Sequence, residues 1–357
     1  MKQEHPAVPM VLEDPKRAPF TDDDRGRISL GMTTSVSLAR TLSIGLLSRL
    51  DPGLTCVNVW DPAAGTGFAG LMLVRALEAT GIQVRYRGQD IVEDAVDAAR
   101  ERFGATHDAE LACGDVLATD EFDAFKADLV LVDPPFGVQW ADVQSSVEAR
   151  SAAGEYRFGL PPRNDSTWLF ISLALEKLRS ANQGGGRVAA LVAPRVLSEG
   201  GAGGKVRQSI VEAGLLESVT RLPEGLTPHT GIPLYLLTFT NKHGTSGNAK
   251  VKIADLQTQF TTNRRHRSLS VETLRELERG LRTGKPGPRN RTVDVLQLLR
   301  RDARVRRATI DGVDLSWRLE THNNTPLDDD FLDSRYGPGS GVSVEGQPQE
   351  VVPHRVV

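Results

Sequence analysis

Apolar and polar positions along the 357-residue chain alternate between two periods. From Ser35 to Leu50, Leu38, Leu42, Leu46 and Leu50 recur every four residues, which predicts an amphipathic helix stopped by Asp51-Pro52-Gly53. Short apolar runs of strand length then interleave with helical patterns. Strands are expected at Cys56–Trp60, Val84–Gly88, Asp128–Val132 and Arg187–Val192. Helices are expected at Ala69–Thr80, Glu93–Phe103, Trp168–Arg179 and Lys205–Ala213. A further candidate strand precedes "CGDVL", and two more, Leu216–Thr220 and Leu234–Thr240, flank the turn-rich "RLPEGLTPHTGIP". Repeated strand–helix units imply a parallel sheet covered on both faces, because parallel strands need a crossover. In such sheets ligands bind beyond the carboxyl ends of the strands.

Composition changes this picture little. Hydrophobic residues make up 39% and charged residues 25%, as in an ordinary globular chain. The two cysteines, Cys56 and Cys113, form neither a disulfide framework nor a zinc motif. The charged, proline-bearing start "MKQEHPAVPMVLEDPKRAPF" lacks the apolar core of a signal peptide, so the expected compartment is the cytoplasm. Charge is more informative. The net value of −3 hides a segment, Thr261–Ile310, with fourteen Lys/Arg against five Asp/Glu. "NRRHR" (263–267) and "RRDARVRR" (300–307) are its densest parts. Such a stretch either tracks phosphates or forms a solvated helix face.

The candidate chemistry lies at the strand ends. "DPAAGTGFAG" contains a G-x-G-x-x-G in Gly65, Gly67 and Gly70, and Asp90 follows Gly70 by twenty positions. Glycines let a backbone turn tightly against a ligand, and a carboxylate at Asp90 suits a ribose diol. A nicotinamide dinucleotide and S-adenosylmethionine meet these conditions equally. Asp61-Pro62 separates the two, since a carboxylate at the strand tip repels a pyrophosphate and suits the ammonium of a methionine moiety. Asp115 is positioned after the next strand to accept from an adenine amino group. Ala63, Thr66, Ile91 and Val116 flank these positions as further cofactor-side residues. Alone, each Asp also has a plain reading as a turn or cap residue.

The fourth strand runs into Asp133-Pro134-Pro135-Phe136. An exocyclic amine on a purine is a weak nucleophile because its lone pair is delocalised. A carboxylate and a backbone carbonyl, from Asp133 and Pro134, can each accept one of its N–H bonds and free that lone pair. Pro134 and Pro135 stiffen the loop beforehand, and Phe136 offers a face on which an extruded base can stack.

These motifs resemble the amino-methylating, N6-adenine DNA methyltransferases, most of all the modification subunits of type I restriction–modification systems. "DPAAGTGF" is similar to their cofactor motif and "DPPFG" to their catalytic motif. "RFGLPPRNDSTWLFISLALEKLRSANQGGGRVAALVAP" and "GGAGGKVRQSIVEAGLLESVTRLPEGLTPHTGIPLYLLTFTNK" are similar to their later segments. The resemblance spans Ser29 to Lys242. It implies an α/β, Rossmann-like fold with seven strands, S-adenosylmethionine as donor and adenine in DNA as acceptor. By analogy it implies a separate specificity chain, with a nuclease or translocase chain or self-association as further partnerships. The family's catalytic motif usually opens with Asn where Asp133 stands, and "GMTTS" (31–35) replaces its aromatic-Thr-Pro. The expected organisation is an N-terminal arm over 1–30, a catalytic domain over 31–245, a basic, partly helical extension over 246–331 and a disordered tail over 332–357. The rival readings are an RNA or protein-glutamine methyltransferase, and an inactive scaffold on the same fold.

Overall fold

The computed structural model describes residues 3–13, 34–227, 231–242, 250–263, 266–285 and 289–294, with short strands at 308–310, 313–315 and 342–344. The half of the molecule that carries the strand ends is built from α1 (Ala7–Glu13), α2 (Val36–Leu47), β1 (Cys56–Asp61), α3 (Phe68–Glu78), β2 (Gln83–Asp90), α4 (Glu93–Phe103), β3 (Asp108–Cys113), β4 (Leu129–Val132), α5 (Gln144–Ala152), α6 (Thr167–Lys177), β5 (Arg187–Val192), α7 (Pro194–Ser198) and α8 (Gly201–Glu212). The chain continues through β6 (Leu216–Arg221), β7 (Tyr235–Thr240), β8 (Lys250–Asp255), a small hairpin of β9 (Thr261–Asn263) and β10 (His266–Ser268), α9 (Val271–Thr283) and β11 (Asn290–Asp294).

The main sheet runs β11-β8-β6-β7-β5-β4-β1-β2-β3. Strands β3, β2, β1, β4 and β5 are mutually parallel, and β7 is antiparallel to both β5 and β6. The seven expected strands are all present, and β8 and β11 extend the sheet beyond β6 to nine. The chain lays β2 and β3 on one side of β1, then crosses to lay β4 and β5 on the other. That reversal makes the β1/β4 border the switch point of the sheet, where a crevice opens between diverging loops.

The pattern of side chains explains why the central strands read as continuous apolar runs. In β4, Val130 and Val132 enter the core on one face and Leu129 and Leu131 the core on the other. In β5, Val188, Ala190 and Val192 alternate in the same way with Ala189 and Leu191. Burial on both faces removes the polar half of the usual strand alternation. Helices α6 and α8 cover one face; α2 and α3 cover the other. Ser35 caps α2 by accepting from the Leu38 N–H at 3.5 Å, and Leu38, Leu42 and Leu46 are buried as their spacing predicts.

Two segments differ from the plain reading of composition. Residues 7–13, within the expected arm, form α1, and Ala7, Val8, Val11 and Leu12 are buried against α2 and α3. Their helical spacing is short and framed by prolines, which masks it in the sequence. The basic segment after residue 260 contributes α9, whose Leu274, Leu277 and Leu281 join the same core. "RRDARVRR" lies outside the described residues, as does most of the 332–357 tail. Among the described residues no helix is long and apolar enough to cross a membrane.

Candidate functional site

Four carboxylates terminate four adjacent strands. Asp61 ends β1, Asp90 ends β2, Asp115 follows β3 by two residues, and Asp133 follows β4 directly. The glycine loop after β1 is shaped by backbone hydrogen bonds. Ala64 N–H donates to the Gln89 carbonyl at 3.0 Å, and Gly67 N–H donates to the Ala64 carbonyl at 2.8 Å. Gly65 (φ 51°) and Gly67 (φ 71°) both take the left-handed conformation that side chains disfavour. A Cβ on Gly67 would also meet the Phe103 ring at 2.9 Å. The third glycine serves packing. A Cβ on Gly70 would stand 2.5 Å from the Tyr86 ring, so its absence lets Tyr86 lie beneath α3. From there the Tyr86 hydroxyl donates to Asp61 Oδ2 at 3.0 Å.

Asp61 is 4% exposed, and its Oδ1 accepts weakly from the Ala63 N–H at 3.4 Å. Burial pushes its carboxyl up to about 7, against the pull of Tyr86, with Asp90 and Asp133 adding like-charge repulsion. Asp61 thus feels the charges that end the strands on either side of β1. Asp90 ends the neighbouring strand β2. Its Oδ2 accepts from Gly65 N–H at 2.7 Å and its Oδ1 from Val92 N–H at 3.0 Å, so one side chain joins the glycine loop to the start of α4. Ile91 beside it is 64% exposed, an apolar ledge next to a carboxylate. Gln89, fully buried, bonds the Gly114 and Thr119 carbonyls at 3.3 and 2.8 Å and thereby fixes the strand-end loop after β3.

That loop holds Asp115 in a local turn, Oδ1 accepting from Leu117 N–H at 2.9 Å. Its charge adds to the burial that raises the Tyr156 hydroxyl. Val116 is buried in the core, and its carbonyl accepts from Arg150 at 2.7 Å. Ala63 is partly buried against the same core, and Thr66 is buried within the glycine loop, its carbonyl accepting from Arg102 Nε at 2.9 Å.

Across the β1/β4 border lies the Asp133-Pro134-Pro135-Phe136 loop. Burial raises the Asp133 carboxyl to about 6, and a hydrogen bond from Thr34 opposes the rise. The Thr34 hydroxyl donates to Asp133 Oδ2 at 2.6 Å. Pro134 is buried, Pro135 is exposed and Phe136 is 37% exposed at the turn made by Gly137 (φ 68°). A second strand of backbone braces this loop: Ser166 N–H donates to the Val138 carbonyl at 2.9 Å, and Trp140 N–H to the Arg163 carbonyl at 3.1 Å. Trp140 Nε1 adds a bond to the Pro162 carbonyl at 3.1 Å. The ends of the adjacent strands β4 and β1 therefore carry a braced acceptor with an exposed aromatic near it on one side, and the glycine loop with its acidic neighbours on the other.

Thr34, Tyr86 and Gln89 take structural parts in this site that no motif spacing predicts. For Tyr86 a signal exists, since it is the aromatic residue facing inward between Arg85 and Arg87 in a half-exposed strand.

The N-6 DNA methylase family model matches residues 42–285. The StySPI type I restriction enzyme methylase subunit of Salmonella potsdam is 31% identical over 144 residues, covering 40% of this chain and 24% of that one. The EcoKI methylase subunit of Escherichia coli K12 is 28% identical over 183 residues, covering 48% and 31% respectively. The chain thus spans less than a third of the length of these relatives. A type I restriction–modification methyltransferase subunit from Streptococcus thermophilus superposes with a TM-score of 0.65 at 18% identity, over 75% of this chain and 56% of that one. The family model covers the glycine loop, the catalytic-type loop and every strand from β1 to β8. The chain belongs to the N-6 DNA methylase family.

Proposed function

We propose that the protein transfers a methyl group from S-adenosylmethionine to N6 of adenine in DNA, as the modification component of a restriction–modification or related defence system. The observation that carries this reading is the Asp133–Phe136 loop at the end of β4, next in the sheet to the glycine loop and Asp61 that end β1, at the switch point of the strand order. Bound there, S-adenosylmethionine supplies an electrophilic methyl on a sulfonium. The residues suit its parts. Asp61 provides negative charge for the methionine ammonium, the Gly65–Gly67 turn admits close backbone approach, Asp90 suits the ribose, and the exposed Ile91 suits an adenine face. Asp115 is assigned to the adenine amino group.

The chain's own work concerns the acceptor. Asp133 and the Pro134 carbonyl each accept one N–H of the target amine, drawing the nitrogen toward tetrahedral geometry and exposing its lone pair. Among the described residues nothing donates to the Pro134 carbonyl, so it is free to do so. Phe136 stacks the extruded base, which must leave the duplex for any group to reach its amine. After transfer the nitrogen is cationic and strongly acidic, and its proton passes to the Asp133 carboxylate or to solvent water. Target choice is assigned to a separate specificity chain, as the similarity to type I methylase subunits suggests.

The test is mass-spectrometric detection of N6-methyladenine in DNA from methylation-free cells expressing the chain, with and without a neighbouring specificity chain. The expected outcome is a signal that Asp133→Ala removes while cofactor binding persists. Methylation surviving Asp133→Ala would exclude the assigned role. Methyl groups found only in RNA or protein would replace the substrate.

A further inference from the structure

We infer that Thr34 is a positioning residue for methyl transfer: its hydroxyl commits one oxygen of Asp133 to the protein and leaves the other aimed at the target amine. The inference rests on the proposed role of Asp133 as acceptor for that amine. Thr34 and Asp133 are 99 positions apart in sequence, yet their side chains meet at 2.6 Å. Thr34 immediately precedes Ser35, the cap of α2, and α2 is locked into the core through Leu38, Leu42 and Leu46 and packs on β4 and β5. The hydroxyl is therefore mounted on a rigid element.

The chemistry of Asp133 requires such a donor. An asparagine at this position would carry its own N–H2 for one side and its carbonyl for the other. A carboxylate has two equivalent acceptors and can rotate to present either, so a neighbouring hydroxyl that can only donate to it breaks the symmetry. The charged groups near Asp133 are Asp61 on β1, which receives the Tyr86 hydroxyl, and beyond it Asp90 on β2. Both are acidic, and among the described residues no cation adds to the Thr34 bond in stabilising the ionised form. Removing the hydroxyl raises the Asp133 carboxyl above its value of about 6 and frees its rotation.

The experiment uses the full chain carrying Thr34→Val or Thr34→Ser. The first readout is the carbon-13 titration of the Asp133 carboxyl, identified by its loss in Asp133→Asn, which requires no turnover. The second is kcat, KM and the pH profile of methyl transfer in the assay given above. Thr34→Val is expected to move the Asp133 titration upward, shift the acid limb of kcat the same way and lower kcat by roughly tenfold, the effect of one charge-assisted hydrogen bond. Cofactor affinity stays unchanged, and Thr34→Ser restores the wild-type values. An Asp133 titration identical in wild type and Thr34→Val overturns the inference, even if DNA methylation is confirmed. A titration that moves as expected in a protein that methylates no DNA sustains the link between Thr34 and Asp133 and overturns the substrate reading instead.

Discussion

Asp61, buried, and Asp133, half-buried, have carboxyls that sit near 7 and 6 rather than at the ordinary 3.8. A folded state that holds a proton more tightly than the unfolded chain loses stability as pH climbs between the two values. For Asp133 that loss begins near pH 4 and is complete above about pH 6, where it amounts to roughly 3 kcal/mol. Asp133→Asn is therefore expected to melt higher than wild type at pH 8 and to match it at pH 4, as thermal unfolding at the two pH values will show. The same substitution leaves nothing to titrate at that position, so any residual methylation should lose its acid limb near pH 6. Asp61 makes a second prediction. A cationic methionine group binds best beside an ionised carboxylate, so cofactor binding at pH 7, where Asp61 is about half protonated, should release up to about half a proton. Calorimetry in buffers of different ionisation enthalpy measures this directly. Affinity should fall as pH drops from 8 to 5.5, and Asp61→Asn should abolish the dependence. No proton release at pH 7 would remove Asp61 from the cofactor's charge environment.

The glycine loop and the strand beneath it form one device. Gly70 makes room for Tyr86, and Tyr86 holds Asp61 at the strand tip. Gly70→Ala forces the ring aside, because the new Cβ would stand 2.5 Å from it. The expected cost is about 1–3 kcal/mol, typical of overpacking, together with weaker cofactor binding. Tyr86→Phe should weaken cofactor binding similarly while costing less stability, since the ring stays in place; differential scanning calorimetry and titration separate the two effects. This coupling also explains what was legible in the sequence. The strand-end acids and the turning glycines stand out because they sit at fixed offsets from apolar runs, which β1, β2 and β4 reproduce within two residues or so. Helix α4 falls on Glu93–Phe103, as its pattern predicts. Thr34 and Gln89 were silent because their roles arise from contacts between distant segments. Strands β8 and β11 are hidden by their charged residues: β11 lies at the sheet edge, which tolerates arginine, whereas β8 lies inside the sheet and its Lys252 is buried against Glu217 at 3.4 Å.

At the scale of the molecule the question is where the phosphate-binding charge resides. The net charge is −3, so any affinity for DNA depends on local concentration of basic residues. Part of the basic segment is already used internally. Arg282 pairs with Glu278 at 2.7 Å, and Arg289 with Glu276 at 3.0 Å. Arg267 stacks over Phe260 at 4.1 Å and donates to the Glu224 carbonyl at 3.2 Å. Arg282 pairs within α9, Arg289 ties the segment before β11 to α9, and Arg267 anchors the hairpin to the loop after β6; a cation engaged in that way releases few counterions on meeting DNA. The run at 300–307 carries five arginines against one aspartate in the same segment. If that run meets the DNA backbone, replacing Arg300, Arg301, Arg304, Arg306 and Arg307 by Gln should flatten the dependence of log affinity on log salt by about 0.9 for each phosphate no longer neutralised. Arg282→Gln and Arg289→Gln should instead lower the melting temperature and leave the salt slope unchanged. Fluorescence anisotropy on a duplex across a salt series measures the slopes, and thermal unfolding measures the stability. The opposite assignment, with slope lost at 282 and 289 and retained without the five arginines, would place the phosphate-binding face on α9 and make the 300–307 run a solvated one.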